Sequence, residues 1–117
     1  MMKLTLPILT LAATIFAGGA FAFDPDDLKK LQDTGNCVSC NLKNIKVIVA
    51  DLSRSDLRDA DLSGAVLRDA DLRDAYLNNA NLAAADLSNA NLQRTYMNGA
   101  ILCNTTMPDG SVIYSGC

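Results

Sequence analysis

The hydrophobic residues in the middle of the chain recur with a period of five. Between Leu52 and Leu92 a leucine stands at every fifth position, and a small residue, mostly alanine, stands two places before each one. An α-helix turns about 100° per residue, so leucines five apart would spread around its surface. On a β-strand they would alternate between the two faces. Neither regular element explains the pattern.

Each five-residue unit has an inward and an outward side. The small residue and the leucine are two places apart, so they point the same way along an extended segment, and the residue between them points away. The next small residue follows after three places, which breaks the alternation once per unit. We therefore predict a corner every five residues. Such a chain winds into a coil, and successive coils stack through backbone hydrogen bonds about 4.8 Å apart. Asn, Asp, Ser and Gly suit the corners.

The units follow the motif A-(D/N)-L-x-x, and in this the chain resembles the pentapeptide-repeat family. Its first three positions are matched to the letter at residues 60–62, 70–72, 80–82, 85–87 and 90–92. Fourteen units run from residue 40 to residue 109. The resemblance implies an all-β solenoid, a right-handed, four-sided β-helix with four units per coil. Fourteen units then make about 3.5 coils (14/4), a rod about 17 Å tall. We assign residues 37–109 to this repeat.

The first 22 residues have the layout of a secretory signal peptide. Lys3 precedes an apolar run at residues 4–16, and a small-residue cleavage site stands at residues 20–22. The alternative is an uncleaved anchor, but the apolar run is short for a bilayer. We expect cleavage after Ala22 and no stable membrane insertion afterwards. Export predicts an oxidising compartment, either a periplasm or, because relatives of this kind occur there, a cyanobacterial thylakoid lumen.

Residues 23–36 are predicted to form a short capping helix and a linker. Asp24 is a suitable N-cap, and Pro25 suits the first helical position. Gly35 can end the helix in the left-handed conformation. The expected helix spans residues 25–33 and places two leucines on one face, Leu28 and Leu31.

The four cysteines form two pairs that are local in sequence. Cys37 and Cys40 make a C-x-x-C sequence. Cys103 and Cys117 bracket a turn signal at residues 108–110, so residues 110–117 form a tail that a disulfide would clip. In an exported protein we expect the disulfides Cys37–Cys40 and Cys103–Cys117. Cross-pairing would span about three coils, which exceeds the reach of a disulfide. An exposed redox pair or free thiols at Cys37 and Cys40 are the alternatives.

Composition excludes several kinds of chemistry. The chain contains no histidine and no glutamate, and its formal net charge is −3. A haem attachment needs His directly after C-x-x-C, and a zinc site needs two further ligands. We therefore expect no catalytic, cofactor or metal site, and the protein is not predicted to be an enzyme. The mild negative charge argues against a nucleic-acid partner.

A DNA-mimic inhibitor is a third hypothesis, because some members of the family protect DNA gyrase with acidic walls. Residues 40–109 carry seven Lys and Arg against nine Asp, a net charge of −2. Stacking at intervals of twenty residues places Arg54, Asp74 and Arg94 in one column. That column alternates in sign, so it does not form the negative stripe that a DNA mimic requires.

Two outward tyrosines are the candidate interaction site. Tyr76 and Tyr96 are twenty residues apart, so we expect them to stack on one outer wall. Aromatic residues commonly anchor protein interfaces. The sequence thus predicts an exported, non-enzymatic scaffold or interaction module whose partner is another protein. The alternative is a thiol–disulfide redox protein that works through Cys37 and Cys40.

Overall fold

The computed structural model describes residues 22–117, so the predicted leader lies outside the described residues except for Ala22. The regular elements of this part are α1 (Pro25–Thr34), β1 (Leu102–Thr106) and β2 (Val112–Ser115). Between α1 and β1 the chain alternates single β-bridges with turns. The fold is therefore built mainly from short repeated units.

Parallel β-bridges between residues twenty apart hold the repeat together. The first bridge joins Asn36 to Asp56, and the last joins Asp86 to Thr106. Between these limits a bridge begins at every fifth residue. Each unit therefore pairs with the unit four places later in the chain. We call a run of twenty residues, or four units, a layer.

The hydrogen bonds between layers run in both directions along the stack. The N–H of Leu62 donates to the carbonyl of Asn81 in the next layer, at 2.8 Å. The N–H of Asp61 donates to the carbonyl of Cys40 in the previous layer, at 2.9 Å. The same two bonds recur along the repeat. They satisfy backbone groups that are exposed in a single unit, so the units are stable only as a stack.

The side chains inside the stack are those that the five-residue period predicts. Leu72 and Leu82 are fully enclosed, and Ala70 and Ala80, two places before them, are buried as well. Where a polar residue takes an inward place, it bonds the backbone: Thr105 Oγ1 donates to the carbonyl of Leu82 at 2.7 Å. The predicted inward and outward assignment is confirmed.

Each corner is a tight turn whose third residue has a positive φ. The N–H of Ala75 donates to the carbonyl of Leu72 at 3.1 Å, and Asp74 between them has φ 59°. A positive φ recurs at every fifth residue from Ser39 to Asn104. Positive φ at this place is the type II geometry, which favours Gly and Asn. The polar residues of the corners are thus explained largely by backbone conformation.

The Asp or Asn at the second position of the motif has a separate local role. Asp71 Oδ1 accepts a hydrogen bond from the N–H of Arg73 at 3.1 Å, and Asn81 Oδ1 accepts one from Ala83 at 3.0 Å. In each of these Asx-type bonds the donor is the backbone N–H two residues after the Asp or Asn. This N–H lies in the turn and donates to no carbonyl of the adjacent layers. The side chain therefore fixes the start of each corner.

The repeat begins one unit before residue 40, the residue at which the count of fourteen units starts. Asn36 already bridges to Asp56, and Ser39 already has the corner conformation, with φ 61°. Cys37 and Cys40 occupy the inward positions that leucine and alanine hold elsewhere. The C-x-x-C sequence therefore lies inside the first corner, within the range assigned to the repeat.

Helix α1 closes the N-terminal end of the stack. Asp24 Oδ1 accepts from the N–H of Asp26 at 2.9 Å, and Gly35 ends the helix with φ 70°. The helix ends at Thr34, one residue beyond the expected limit. Three of the residues at this end are buried, namely Phe23, Leu28 and Leu31. Asp27 Oδ2 also accepts from the N–H of Asn41 at 2.8 Å, which ties the helix to the first layer.

A hairpin lies at the other end. Strand β2 pairs antiparallel with β1, and Thr105 stands opposite Ile113. The register shifts between Cys103 and Thr105, where the pairing is irregular. The chain leaves the repeat after Met107, whose N–H donates to the carbonyl of Ser111 at 2.7 Å.

Candidate interaction surface

The tyrosine wall is the outer side of the stack that carries Asn36, Asp56, Tyr76 and Tyr96. Parallel bridges join these four residues in order, so their side chains lie in one column. The rings of Tyr76 and Tyr96 are stacked, with centroids 5.1 Å apart and planes inclined by 8°. The two residues are 43% and 51% exposed. The register of the layers thus presents two parallel rings to solvent on an otherwise polar wall.

Two ion pairs flank the tyrosines. Asp56, the bridge partner of Tyr76, accepts from Arg58 Nε at 2.8 Å and from Arg58 Nη2 at 2.7 Å. Arg94, two residues before Tyr96, donates to Asp74 in the previous layer at 2.7 and 3.1 Å. Both pairs are bidentate, so the guanidinium groups are held in fixed orientations beside the rings.

The ion pairs keep these carboxylates charged. The hydrogen bond from Arg58 lowers the pKa of Asp56, and the hydrogen bond from Arg94 lowers the pKa of Asp74. The pKa of Arg58 is raised in turn, mainly by Asp56 and to a smaller extent by Tyr76. A partner would therefore meet two rings edged by charges of both signs.

Ion pairs also occur on other walls of the stack. Asp71 pairs with Arg73 at 2.6 Å within one unit, and Asp86 pairs with Arg68 at 3.0 Å between layers. The pKa of Asp86 is lowered, first by its hydrogen bonds with Ser88 and then by Arg68. Each of these two acidic groups has a cation beside it, so its charge is balanced locally.

The C-x-x-C pair lies in the interior. Cys37 and Cys40 are joined by a disulfide, with their Cα atoms 5.3 Å apart. The two residues are 0% and 2% exposed. The N–H of Cys40 also donates to the carbonyl of Cys37 at 3.3 Å, which is the turn bond of the first corner. Thiol–disulfide exchange needs a thiolate to reach a sulfur, so this location disfavours a redox role.

The second disulfide fastens the tail. Cys103 and Cys117 are bonded, with their Cα atoms 5.0 Å apart. Cys103 belongs to β1, and Cys117 follows β2 directly after Gly116. The bond therefore closes the hairpin at its open end. The described residues contain no free cysteine.

Other kinds of site are not found in the described part of the chain. Within residues 22–117, no group of Asp and Cys side chains is placed to hold a metal ion. In the same residues, no helix is long and apolar enough to cross a membrane.

Two exposed features were not identified from the sequence. Val49, a β-branched residue, is 62% exposed and adopts the positive φ of a corner, at 59°. Tyr114 on β2 is the most exposed of the three tyrosines. The exposure of Val49 follows from the five-residue period once the corner conformation is known. The exposure of Tyr114 depends on where the tail lies, which the repeat does not determine.

Several solved structures resemble the chain. HetL, a pentapeptide repeat protein involved in heterocyst differentiation regulation in the cyanobacterium Nostoc, is 26% identical over 67% of this chain and 51% of its own, with a TM-score of 0.36. A pentapeptide repeat protein from the Arabidopsis thaliana thylakoid lumen is 25% identical over 67% of this chain and 55% of its own, with a TM-score of 0.39. The matched region thus spans about half the length of both relatives.

A further pentapeptide repeat protein from Nostoc is 25% identical over 86% of this chain and 92% of its own, with a TM-score of 0.33. No curated protein matches the chain. The sequence profile of pentapeptide repeats matches in eight copies, at residues 36–74 and 70–107. These matches cover most of the described residues, and the chain belongs to the pentapeptide-repeat family.

Proposed function

We propose that the protein is an exported, non-enzymatic scaffold that binds another protein through its tyrosine wall. The observation that carries this proposal is the exposed stack of Tyr76 on Tyr96. Rigid, parallel rings lose little conformational entropy on binding, and tyrosine is enriched in interface hot spots. The flanking pairs of Asp56 with Arg58 and Asp74 with Arg94 supply a polar rim of the kind that surrounds such anchors.

The scaffold is proposed to be a right-handed, four-sided β-helix of about 3.5 coils. Bridges at intervals of twenty residues and corners at intervals of five support four sides per layer. The family supplies the handedness. In such a rod the interior consists mainly of leucine and alanine, which leaves the outer walls free to vary without loss of the core.

Export and an oxidising compartment, a periplasm or a thylakoid lumen, are part of the proposal. The apolar N-terminal segment and its small-residue cleavage site support export. The two disulfides are the cross-links expected in such a compartment. Cleavage after Ala22 would leave Phe23 and the N-cap Asp24 intact at the start of α1.

The proposal is tested by purifying a partner from the compartment of export and measuring its affinity for defined variants. The double variant Tyr76→Ser with Tyr96→Ser removes both rings and leaves the interior unchanged. We expect its Kd to rise at least about tenfold, since hot-spot residues contribute about 2 kcal/mol or more each. The matched control is Tyr114→Ser, which removes an exposed tyrosine outside the wall and should leave the Kd unchanged.

Two results would reject the tyrosine wall as the docking surface. One is unchanged affinity of the double variant. The other is an equal loss in Tyr114→Ser. If the partner instead forms a mixed disulfide with Cys37 or Cys40, the redox alternative is correct.

A further inference from the structure

Helix α1 pairs with the backbone of only half of the first layer, which consists of residues 36–55. Asp27 Oδ2 accepts a hydrogen bond from the N–H of Asn41 at 2.8 Å, and Thr34 Oγ1 accepts one from the N–H of Asn36 at 3.0 Å. Both acceptors belong to α1. They take the place of carbonyls from a preceding layer, so the first two units of this layer have satisfied donors.

The other two units have an open edge, residues 46–54. In the next layer, the equivalent N–H groups of Val66 and Asp71 donate to carbonyls of the first layer, at 2.8 and 2.9 Å. The N–H groups of Lys46 and Asp51 have no acceptor in the part of the chain that the structure describes. Free donors and acceptors along an edge are the template on which an extended strand pairs. The carbonyls of the edge that have no donor in the same part of the chain belong to Lys46, Ile48, Asp51 and Ser53.

The two cations of the open edge have uncommitted side chains. Within the described residues, the side chains of Lys46 and Arg54 form no ion pair and no hydrogen bond. The only anion between them in sequence is Asp51. Its Oδ1 already accepts from the N–H and the Oγ of Ser53, at 3.0 and 2.6 Å. The edge therefore presents two free positive charges beside its free backbone groups.

The column of Arg54 shows which charge pairs with a cation at this place. Arg54, Asp74 and Arg94 are one layer apart and share the positive φ of a corner. Arg94 donates to Asp74 in the layer before it, at 2.7 and 3.1 Å. Arg54 holds the same place in its own layer, but α1 and not another layer precedes it. A carboxylate one layer before Arg54 would meet it as Asp74 meets Arg94.

The open edge also carries exposed apolar side chains, Ile48 and Val49. In a parallel stack, residues of adjacent strands share columns, as Tyr76 and Tyr96 do. A strand paired along this edge would therefore place its own side chains against Ile48 and Val49. Covering them removes apolar surface from water, which favours an occupant with apolar residues between its charges.

A second copy of this chain does not match the charges of the open edge. If copies stacked head to tail, Arg94 of one copy would stand in the column of Arg54 of the other, cation against cation. If two open edges paired with each other, Lys46 and Arg54 of one copy would meet the same cations of the other. A strand that carries carboxylates meets neither obstacle.

We propose that the open edge binds an extended acidic segment of a different protein. The segment adds a strand by backbone pairing along residues 46–54, and its carboxylates pair with Lys46 and Arg54. This surface is separate from the tyrosine wall, which is formed by other units of each layer.

The probe for the test is a synthetic peptide of alternating valine and aspartate with blocked ends. It is titrated against the exported protein with both disulfides intact, and its Kd should rise with salt concentration. A peptide of alternating valine and lysine should bind at least about tenfold more weakly, because its charges repel those of the edge. The acidic peptide with every backbone nitrogen methylated keeps its charge but cannot donate to the free carbonyls, so it should be weakened as well.

A double variant tests the two cations. Lys46→Gln with Arg54→Gln breaks no ion pair within the described residues and should raise the Kd of the acidic peptide at least about tenfold. The matched control is Lys43→Gln, a charge loss in the same layer, in the unit whose edge Asp27 already occupies. It should leave the Kd unchanged.

Amide hydrogen exchange of the unmodified protein locates the contact. The amides of Lys46 and Asp51 should exchange more slowly when the acidic peptide is added. The proposal would be overturned if the acidic peptide did not bind, if it bound and left these amides unprotected, or if the lysine or methylated peptide bound equally well. Protection of the same amides in the protein alone, at high concentration, would assign the edge to a second copy and would also overturn it.

Discussion

Arg94 is hydrogen-bonded to Asp74, the residue one layer earlier in the stack, with Nε 2.7 Å from Oδ1. Both residues lie at corners and have positive φ. The twenty-residue interval that aligns the inward leucines therefore aligns the outward charges as well. A substitution at one of the two positions is expected to act on the other, although they are distant in sequence.

The Asp74–Arg94 pair predicts a defined response to acid. The hydrogen bond from Arg94 lowers the pKa of Asp74 below the unfolded-state value of about 3.9. Such a group stabilises the fold above that value, and its contribution is lost as pH falls through the lower, folded-state pKa. We expect Asp74→Asn to lower the free energy of unfolding at pH 7, and the difference from the unmodified protein to shrink below about pH 4.

Denaturant melts at several pH values measure this difference. Asp69→Asn is the matched control, because Asp69 occupies an equivalent corner and forms no ion pair within residues 22–117. Asp69→Asn should not lower the free energy of unfolding at pH 7, because it removes no ion pair and Asn adopts a positive φ readily. A constant difference between Asp74→Asn and the unmodified protein from pH 3 to pH 7 would contradict the proposed contribution of the ion pair.

Val49 is predicted to be a site of backbone strain. Its positive φ costs an L-residue with a branched Cβ roughly 1–2 kcal/mol, whereas Asn adopts this conformation readily. Val49→Asn should therefore raise the free energy of unfolding by about 1 kcal/mol. Val38→Asn, at an exposed valine whose φ is not positive, should give no gain. Equal effects of the two substitutions would show that polarity is responsible and not the corner conformation.

Both disulfides are predicted to form in the exported protein. Peptide mapping without reduction should recover Cys37 linked to Cys40 and Cys103 linked to Cys117. The buried first pair should resist reduction by glutathione in the folded protein, because an attacking thiolate cannot reach its sulfurs. A peptide that links Cys40 to Cys103 would contradict the stacking order, and rapid labelling of Cys37 would support the redox alternative.

Most of the fold follows from the sequence because one local rule is repeated many times. The spacing of Ala70 and Leu72 within a unit predicts the inward column, and the interval between Tyr76 and Tyr96 predicts that their rings stack. The interior position of Cys37 was missed because the unit around it lacks the leucine that marks the others. The positive φ of the corners was not predicted from the sequence. Turn residues can be favoured because their side chains bond the backbone or because they tolerate a positive φ, and composition alone does not tell which cause applies.

The ends could be predicted less well than the middle. A repeat defines contacts between neighbours but not where it stops. The pairing of β2 with β1 depends on the path of the tail. That path is set by the turn after Met107 and by the bond between Cys103 and Cys117, and neither belongs to the five-residue period.

The central claim is that leucines five residues apart form one interior column while their neighbours in sequence face solvent. The free energies of unfolding of Leu72→Ala and Arg73→Ala test it most directly, because the two residues are adjacent and should differ completely in environment. Leu72 is fully enclosed, so its truncation should cost about 2–5 kcal/mol. Arg73 is exposed and forms a surface ion pair with Asp71, so its truncation should cost less than about 1 kcal/mol. Comparable losses from the two substitutions would contradict the fold and the division of the molecule into a stable interior and a recognition wall.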